Sequence, residues 1–581
     1  MGFLQNWAES FKPAETEGFG KEPAYAGDFL EAGDQKPEVL GDEEFANATT
    51  AVQTADGTVA YVPEKTPLKR RLDGRHIQFI ALGGGIGTGL FIGSASALST
   101  AGPAFLIVDF IIMGFMLVCV IFALGELAAT LPVSGAFSTY ASRFVDPAWG
   151  FAMGWNYYLQ WLIVTPLEFT AAAIVIGFWD PNKVVPVGIW LMIFIIVITV
   201  INFFGVRGYA EFEFAATFIK VITVIGLIIA LIVIDCGGVI GGPSYMGAHT
   251  WHDPGPINNG FKGLCTVFTT AAFAFSGSEL VGLAAAETKE PRKVLPKACK
   301  QIVFRIVMFY VLSLFLVSLI VPYNDERLSS DHDYDPRTSP FVIAMEIGRI
   351  KVLPHIINAV IIVSTLSVAN SAVYAGSRTL LALAEQGLAP KMFKYVDREG
   401  RPLPAVVVSL VFGLLAFLIY SAEEGTVFSW MLQISGLAAI FTWGSICFCH
   451  IRFRSAWTKQ GYTLRELPWA SPLGVYGSMA GLFLNILVIA ANIYIGAFPT
   501  DEGTYSPSMR AYEFFNANIS LVILLTFLIL YKLIKRSKFV RLEDMDIHTG
   551  RRDPVSEEVL EQERAEARDR PMWKKIITSV F

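Results

Sequence analysis

The chain has 581 residues, 53% of them hydrophobic and 17% charged, with a mean hydropathy of +0.50. That is too apolar for a soluble multidomain protein, in which charged residues make up about a quarter of the chain. The net charge of −6 comes from two polar tails and builds no uniformly basic face, so a lipid bilayer is the expected partner and nucleic acid is not. The six cysteines are scattered without a Cys-x-x-Cys pair, and the seven histidines are equally dispersed. No metal, cofactor or enzymatic chemistry is expected from them.

Residues 1–70 are rich in Glu, Asp, Gly and Thr with little periodicity, and read as a disordered cytosolic tail. A twelve-helix transporter domain is predicted over 71–541, followed by a charged cytosolic tail over 542–581 in which 555–568 reads as a surface helix. Apolar stretches of spanning length lie near 77–99, 104–131, 151–178, 187–205, 213–234, 261–285, 302–322, 352–384, 403–421, 427–450, 473–497 and 515–534. Ser339 to Ile350 is expected as a short helix on the outer surface.

Basic residues give the orientation. Lys69, Arg70, Arg71 and Arg75 precede the first span, and Arg207 lies between the fourth and fifth. Lys289, Arg292, Lys293, Lys297 and Lys300 follow the sixth, and Arg452, Arg454 and Lys459 follow the tenth. The alternate connections are poorer in Lys and Arg, apart from Arg327, Arg337, Arg349 and Lys351, which run against the pattern. Both termini are therefore predicted to face the cytosol. The tails are candidates for trafficking or ubiquitination machinery.

The first span contains Gly83-Gly84-Gly85-Ile86-Gly87-Thr88-Gly89. Each glycine costs a helix roughly 1 kcal/mol relative to alanine. In lipid, backbone groups freed by a break must find partners inside the protein. A packing face of small residues is the simpler explanation, but five glycines in seven positions cover every side of the helix. The prediction is a break at Gly84, Gly85, Ile86, Gly87, Thr88 and Gly89, whose N–H groups suit an anionic group such as a carboxylate. A second discontinuity is predicted in the sixth span, at Phe273-Ala274-Phe275-Ser276-Gly277-Ser278-Glu279. Its carbonyls suit an ammonium, and Phe273 and Phe275 could close over a ligand. An α-amino acid zwitterion would sit between the two breaks. The two halves do not visibly repeat, so pairing the first span with the sixth in a five-plus-five arrangement rests on position.

A charged residue inside a span costs about 2.5–3.5 kcal/mol on insertion scales, so each such residue is a functional candidate. Glu279 is the deepest, Lys220 lies in the fifth span and Glu126 in the second. Burial penalises the charged form of all three, which makes them candidate proton carriers. The competing reading is an ion pair or backbone cap that ties helices together. Glu168, in the third span, reads as structural, and Asp109 is near enough to one end to be wetted.

The runs RHIQFIALGGGIGTGLFIGSASAL, LGELAATLPVSGAFSTYASRFVDPAWGFAMGWNYYLQW, FAFSGSELVGLAAAETKEPRKVLPKA and NSAVYAGSRTLLALAEQGLAPKMF resemble the fungal amino acid permeases of the amino acid–polyamine–organocation superfamily. The likeness runs from about Leu68 to Leu542. WNYYLQWLIVTPLE, VPYNDERL, EEGTVFSWMLQISGL and HIRFR give a look closest to the general amino acid permeases. The resemblance implies an all-α membrane protein of about twelve helices, with a 5+5 inverted repeat, broken helices 1 and 6, and two extra helices. It implies that Gly84 to Gly89 bind the substrate carboxylate, and that Phe273 to Ser278 bind the amino group and form the gate. Glu279 matches the family's sixth-span glutamate. Lys220 matches a fifth-span lysine that stands where sodium-coupled members hold their ion. Asp109 departs from the family, whose members usually carry a neutral residue there.

The expected function is a plasma-membrane proton–amino acid symporter of broad specificity, with amino acids and protons as its partners. The alternatives are a narrower permease for proline, aromatic or basic amino acids, and an amino acid-sensing receptor of the same fold. Residence in the vacuole or another endomembrane stays open.

Overall fold

A computed structural model describes residues 49–53, 59–63, 72, 74–182, 184–288, 290–328, 339–420, 424–500 and 506–551. Among these, the strands are β1 (Thr49–Gln53) and β2 (Val59–Pro63), an antiparallel hairpin pairing Thr49 with Pro63 and Gln53 with Val59. It lies in a tail expected to have no structure. The overlooked signal is Asp56-Gly57 between two short runs rich in Thr and Val. The remainder of 1–70 and the helix expected over 555–568 fall outside the described residues.

The membrane domain is helical throughout. The first span, α1, is interrupted: Gly74–Gly83 is helical, 84–87 is irregular, and from Thr88 a π-helical turn Gly89–Gly93 leads into helix from Ser94. The chain turns at Gly102-Pro103, where Gly102 takes φ 78° and ψ 170°, and α2 follows over 103–130. Next come α3 (Pro147–Ile176), α4 (Val187–Phe203) and α5 (Gly205–Asp235). The sixth span, α6, is also interrupted, with Gly260–Phe275 and Leu280–Ala284 as its helical pieces. The rest are α7 (Pro291–Ile320), α8 (Leu353–Glu385), α9 (Leu403–Tyr420), α10 (Glu424–Lys459), α11 (Gly474–Ala497) and α12 (Pro507–Lys535).

Several boundaries differ from the sequence expectation for one reason: helices project beyond their apolar windows. Arg207 lies in the first turn of α5 rather than in a connection. Arg292, Lys293, Lys297 and Lys300 lie in the opening turns of α7, and Arg452 and Arg454 are within α10. The short helix Pro340–Ile347 forms as expected, but Pro340 to Met345 are buried rather than on the surface. Phe341 packs on Phe91 of α1, with ring centroids 5.8 Å apart.

α5 shows how a span sorts its faces. Glu213, Thr217, Lys220, Val224, Leu227 and Leu231 follow helical spacing and are buried, while Phe218, Ile222, Ile225 and Ile229 are exposed. The outward apolar stripe is what a lipid-facing helix presents, and the inward polar stripe marks a protein-lined interior. The buried apolar residues divide mainly into two clusters. The larger joins α1, α2, α5, α6, α7 and α10 with parts of α3 and α8, and a second joins other residues of α3 and α8 to α4 and α9.

Twelve spans bring both ends of the domain to one face, here the terminal face. Leu72 N–H donates to the Glu287 carbonyl there at 3.3 Å. The stretch after α12, expected as the start of a solvated tail, is docked on the same face. Val540 N–H donates to the Val145 carbonyl at 2.9 Å, and Arg143 Nη1 donates to the Thr549 carbonyl at 2.6 Å. Met545 and Ile547 are buried, and the Arg551 guanidinium lies 5.2 Å from the Trp457 ring centroid.

Candidate functional site at the two helix breaks

The breaks in α1 and α6 lie against each other. Gly277 takes φ 92°, and a Cβ there would stand 2.5 Å from the Gly84 carbonyl oxygen. A Cβ on Gly89 would stand 2.4 Å from Ala274 Cα, so the second half of α1 touches α6 backbone to backbone. These two positions require glycine, one for conformation and contact, the other for contact alone.

The carbonyls released by the break in α1 are capped by donors from neighbouring helices. Lys220 Nζ donates to the Gly83 carbonyl at 3.0 Å, and Arg305 Nη1 to the Ala81 carbonyl at 2.7 Å. Tyr310 Oη lies 2.5 Å from the Gly85 carbonyl and 2.8 Å from the Ala274 carbonyl, bridging both broken helices. Cations at the C-terminal end of a helix segment complement its dipole. On the other side of the gap, the second half of α1 begins at Thr88–Gly89; the Leu90 and Phe91 N–H groups donate to the Gly87 carbonyl, and the amides ahead of them precede any intrahelical acceptor. One edge of the gap is thus carbonyl-rich and occupied by cations. The other presents amide N–H groups.

A small cavity opens beside this second edge. Gly84, Gly85, Gly87, Thr88 and Gly89 line it, with Phe273 and Ser276 from α6, Trp161, Val164 and Glu168 from α3, and Val368 from α8. Thr88 Oγ1 donates to the Glu168 carboxylate, and Gln160 Nε2 donates to Ser276 Oγ at 2.9 Å, so α3 holds both breaks. Seven of the residues singled out from sequence therefore meet around one cavity.

The other sequence candidates are placed elsewhere. Ile86 is fully buried and does not line the cavity, and Phe275 packs edge-on to Phe110 at 5.5 Å and beside Tyr310 at 4.6 Å. Gly277 is at the contact with Gly84, and Ser278 Oγ donates to the Phe275 carbonyl and accepts from Arg305. Glu279 accepts from Trp443 Nε1 at 3.3 Å and from its own segment's Gly277 N–H at 3.4 Å. Lys220, on the far side of the break, also donates to Ser367 Oγ at 2.8 Å and lies 3.8 Å from Glu213 Oε1.

Glu126 belongs to a separate group, near the end of α10 on the terminal face. It takes hydrogen bonds from Arg454 Nη2 at 2.6 Å and Ser471 N–H at 2.6 Å, and lies 3.0 Å from His450 Nε2. Asp109 is fully buried rather than wetted.

Sequence reasoning did not single out Arg305, Glu213, Trp161, Val164 or Val368. Arg305 had a visible signal: it is a lone guanidinium among Ile302, Val303, Ile306 and Val307, but it stands close enough to Lys297 and Lys300 to pass as interfacial. Glu168, a structural residue by its sequence context, lines the cavity.

The amino acid permease family model matches residues 76–543, which takes in nearly the whole of α1 and every later span. The chain belongs to the amino acid permease family. This permease is 49% identical to the general amino-acid permease GAP1 of Saccharomyces cerevisiae over 89% of its own chain and 86% of the relative. It is 48% identical to the general amino-acid permease GAP2 of Candida albicans, over 89% and 88% respectively. Cationic amino acid transporter 1 of Schizosaccharomyces pombe is 45% identical over 89% and 87%. The permease is thus an integral membrane transporter rather than an enzyme.

Proposed function

We propose that this permease is a proton-coupled importer of amino acids across the plasma membrane, with a broad substrate range. The observation that carries the reading is the cavity between the breaks, with the glycine-rich helix start Gly87-Thr88-Gly89 on one side and Phe273 and Ser276 on the other. The amides at Thr88 and Gly89 receive the substrate carboxylate, and the carbonyl side of the α6 break receives the ammonium. The side chain projects toward Trp161, Val164 and Val368, whose apolar surfaces make few demands on its chemistry. This division suits a carrier that accepts many amino acids, as the names of two relatives imply for those proteins.

The excess of basic residues on the terminal face supports a cytosolic location for that face. Lys220 occupies the rear of the break, where its ammonium repels sodium and favours coupling to protons. Alternating access follows when the helices that carry the breaks, α1 and α6, rock against the helices packed around them.

One feature favours a second reading, a preference for cationic side chains. Glu168 Oε1 has no hydrogen-bond partner among the described residues, and the carboxylate faces the cavity. A cationic transporter is also among the relatives.

Uptake of labelled amino acids into liposomes, with and without an inward proton gradient, tests both. Accumulation that collapses with a protonophore supports the symporter, and competition by unlabelled amino acids sets the range. Binding without accumulation would favour a receptor of the same fold.

A further inference from the structure

Behind the break in α1, on the side away from the cavity, a second polar cluster joins α5 to α8. Glu213 and Lys220 are two turns apart on the buried face of α5, and neither side chain reaches solvent. Glu213 Oε1 lies 3.8 Å from Lys220 Nζ and accepts from Thr217 Oγ1 at 3.3 Å. Its Oε2 accepts from Ser367 Oγ at 2.5 Å and from Ser371 Oγ at 3.4 Å. Ser367 also accepts from Lys220, so one hydroxyl bridges ammonium and carboxylate. From Ser371 the file continues to Tyr209 Oη at 3.3 Å, whose ring stacks on Tyr374 at 4.2 Å. Tyr374 Oη donates to Glu287 at 3.1 Å, and Arg378 pairs with Glu287 at 3.2 Å. Glu287 is at the terminal face, where Leu72 meets its carbonyl.

We propose that Glu213 is the proton-relay residue that takes the coupling proton from Lys220 and passes it toward the cytosol. The inference rests on the proton-coupled reading above. The proton moves from Lys220 Nζ to Glu213, directly or through Ser367 Oγ, which gives one proton and receives one. Ammonium and carboxylate become amine and carboxylic acid, with no change in net charge. Water on the cytosolic side then takes the proton from Glu213 and leaves a carboxylate beside an amine. The next proton from the substrate side restores the ammonium.

The transfer has a mechanical result. The Gly83 carbonyl exchanges a charged donor for a neutral one, and charge-assisted hydrogen bonds are roughly twice as strong as neutral ones. That loosens the first half of α1 from α5 at the step when it must swing to open the cytosolic side. Other charges that act on Lys220 are Glu168 on α3 and Arg305 on α7. Those that act on the Tyr209 end are Arg378 and Glu287. On α5 itself, Glu211 is engaged with Arg75 and His76 at the start of α1.

The test uses the full-length protein in liposomes with a pH dye inside, comparing wild type with Glu213→Gln and Glu213→Asp. Two readouts are taken: proton influx with gradient-driven accumulation, and exchange of internal for external amino acid, which needs no net proton release. The expected result for Glu213→Gln is a fall of about a hundredfold in accumulation and proton influx, the scale of a lost proton-transfer group, while exchange persists. Glu213→Asp is expected to restore part of the influx with an altered pH profile. Wild-type influx and accumulation in Glu213→Gln would overturn the inference and leave the symporter reading intact. Equal loss of exchange and accumulation in both variants would also overturn it, in favour of a purely structural ion pair. A wild-type protein that moves no protons would remove the symporter reading itself.

Discussion

Lys220 of α5 and Gly83 of α1 meet at 3.0 Å across the rear of the helix break, so a side chain four spans further along the chain caps the carbonyl end of the first half-helix. The contact is structural and chemical at once, because its strength depends on whether the amine carries a proton. Lys220→Ala is expected to uncouple or block transport. Uptake measured across external pH checks it, and an unchanged pH dependence would return Lys220 to a packing role.

Glu279 is fully buried between Trp443 and the Gly277 amide. Glu279→Gln keeps the shape but can neither ionise nor carry a proton, and its NH2 confronts donors where the carboxylate accepted. Proton-driven accumulation should fall by about a hundredfold or more. Near-normal gradient-driven uptake would remove Glu279 from the mechanism.

Gly89→Ala puts a methyl 2.4 Å from Ala274 Cα, a backbone atom that cannot step aside. Overpacking of this kind costs about 1–3 kcal/mol. A lower Tm in detergent and reduced substrate binding are expected. Gly226→Ala, where a Cβ meets nothing within 4 Å, is the control and should leave both unchanged.

Glu126 behaves as a structural hub in its geometry, since Arg454, His450 and the Ser471 amide all converge on it. Removing the carboxylate leaves the buried Arg454 guanidinium without its partner, a loss on the scale of about 3–5 kcal/mol. Glu126→Gln should therefore lower folded yield and Tm sharply. The surviving protein should keep its ratio of protons to substrate, and a changed ratio would restore Glu126 to the coupling machinery.

The docked stretch after α12 carries a pH dependence through His548. Burial, and next the nearby Arg551 charge, hold its imidazole below the ordinary histidine value, with Asp546 opposing. Once undocked, His548 binds a proton more readily, so docking is fully present above the ordinary value near 6.5 and weakens as pH falls below it. Limited proteolysis after Lys535 should be faster at pH 5.5 than at 7.5, and His548→Gln should reduce the difference.

Sequence exposed the breaks because glycine density and a Ser-Gly-Ser-Glu run stand out against apolar surroundings. It exposed α3 as a helix but not Trp161 as a cavity wall, since nothing local separates that indole from the other eleven in the chain. Glu213 escaped for a related reason. It falls at the first residue of the apolar window over 213–234, where a carboxylate passes as the wet end of a span. Only the eight further residues by which α5 precedes that window place it in the interior. Arg305 was hidden by neighbouring lysines in the same way. Long-range pairs such as Lys220 with Ser367 leave no periodicity to read, because they depend on how helices distant in sequence are laid side by side.

The pairing of amides with carbonyls at the breaks also bears on how such a carrier can evolve. On the proposed reading, the part common to all amino acids is gripped by main-chain groups, which no single substitution short of proline deletes. Trp161, Val164 and Val368, which face the variable part, are side chains and free to change. A lineage can thus redraw its diet one residue at a time without losing its hold on the amino acid backbone. Two main-chain grips and one side-chain wall also make three points of attachment, the minimum for telling a left-handed amino acid from its mirror image.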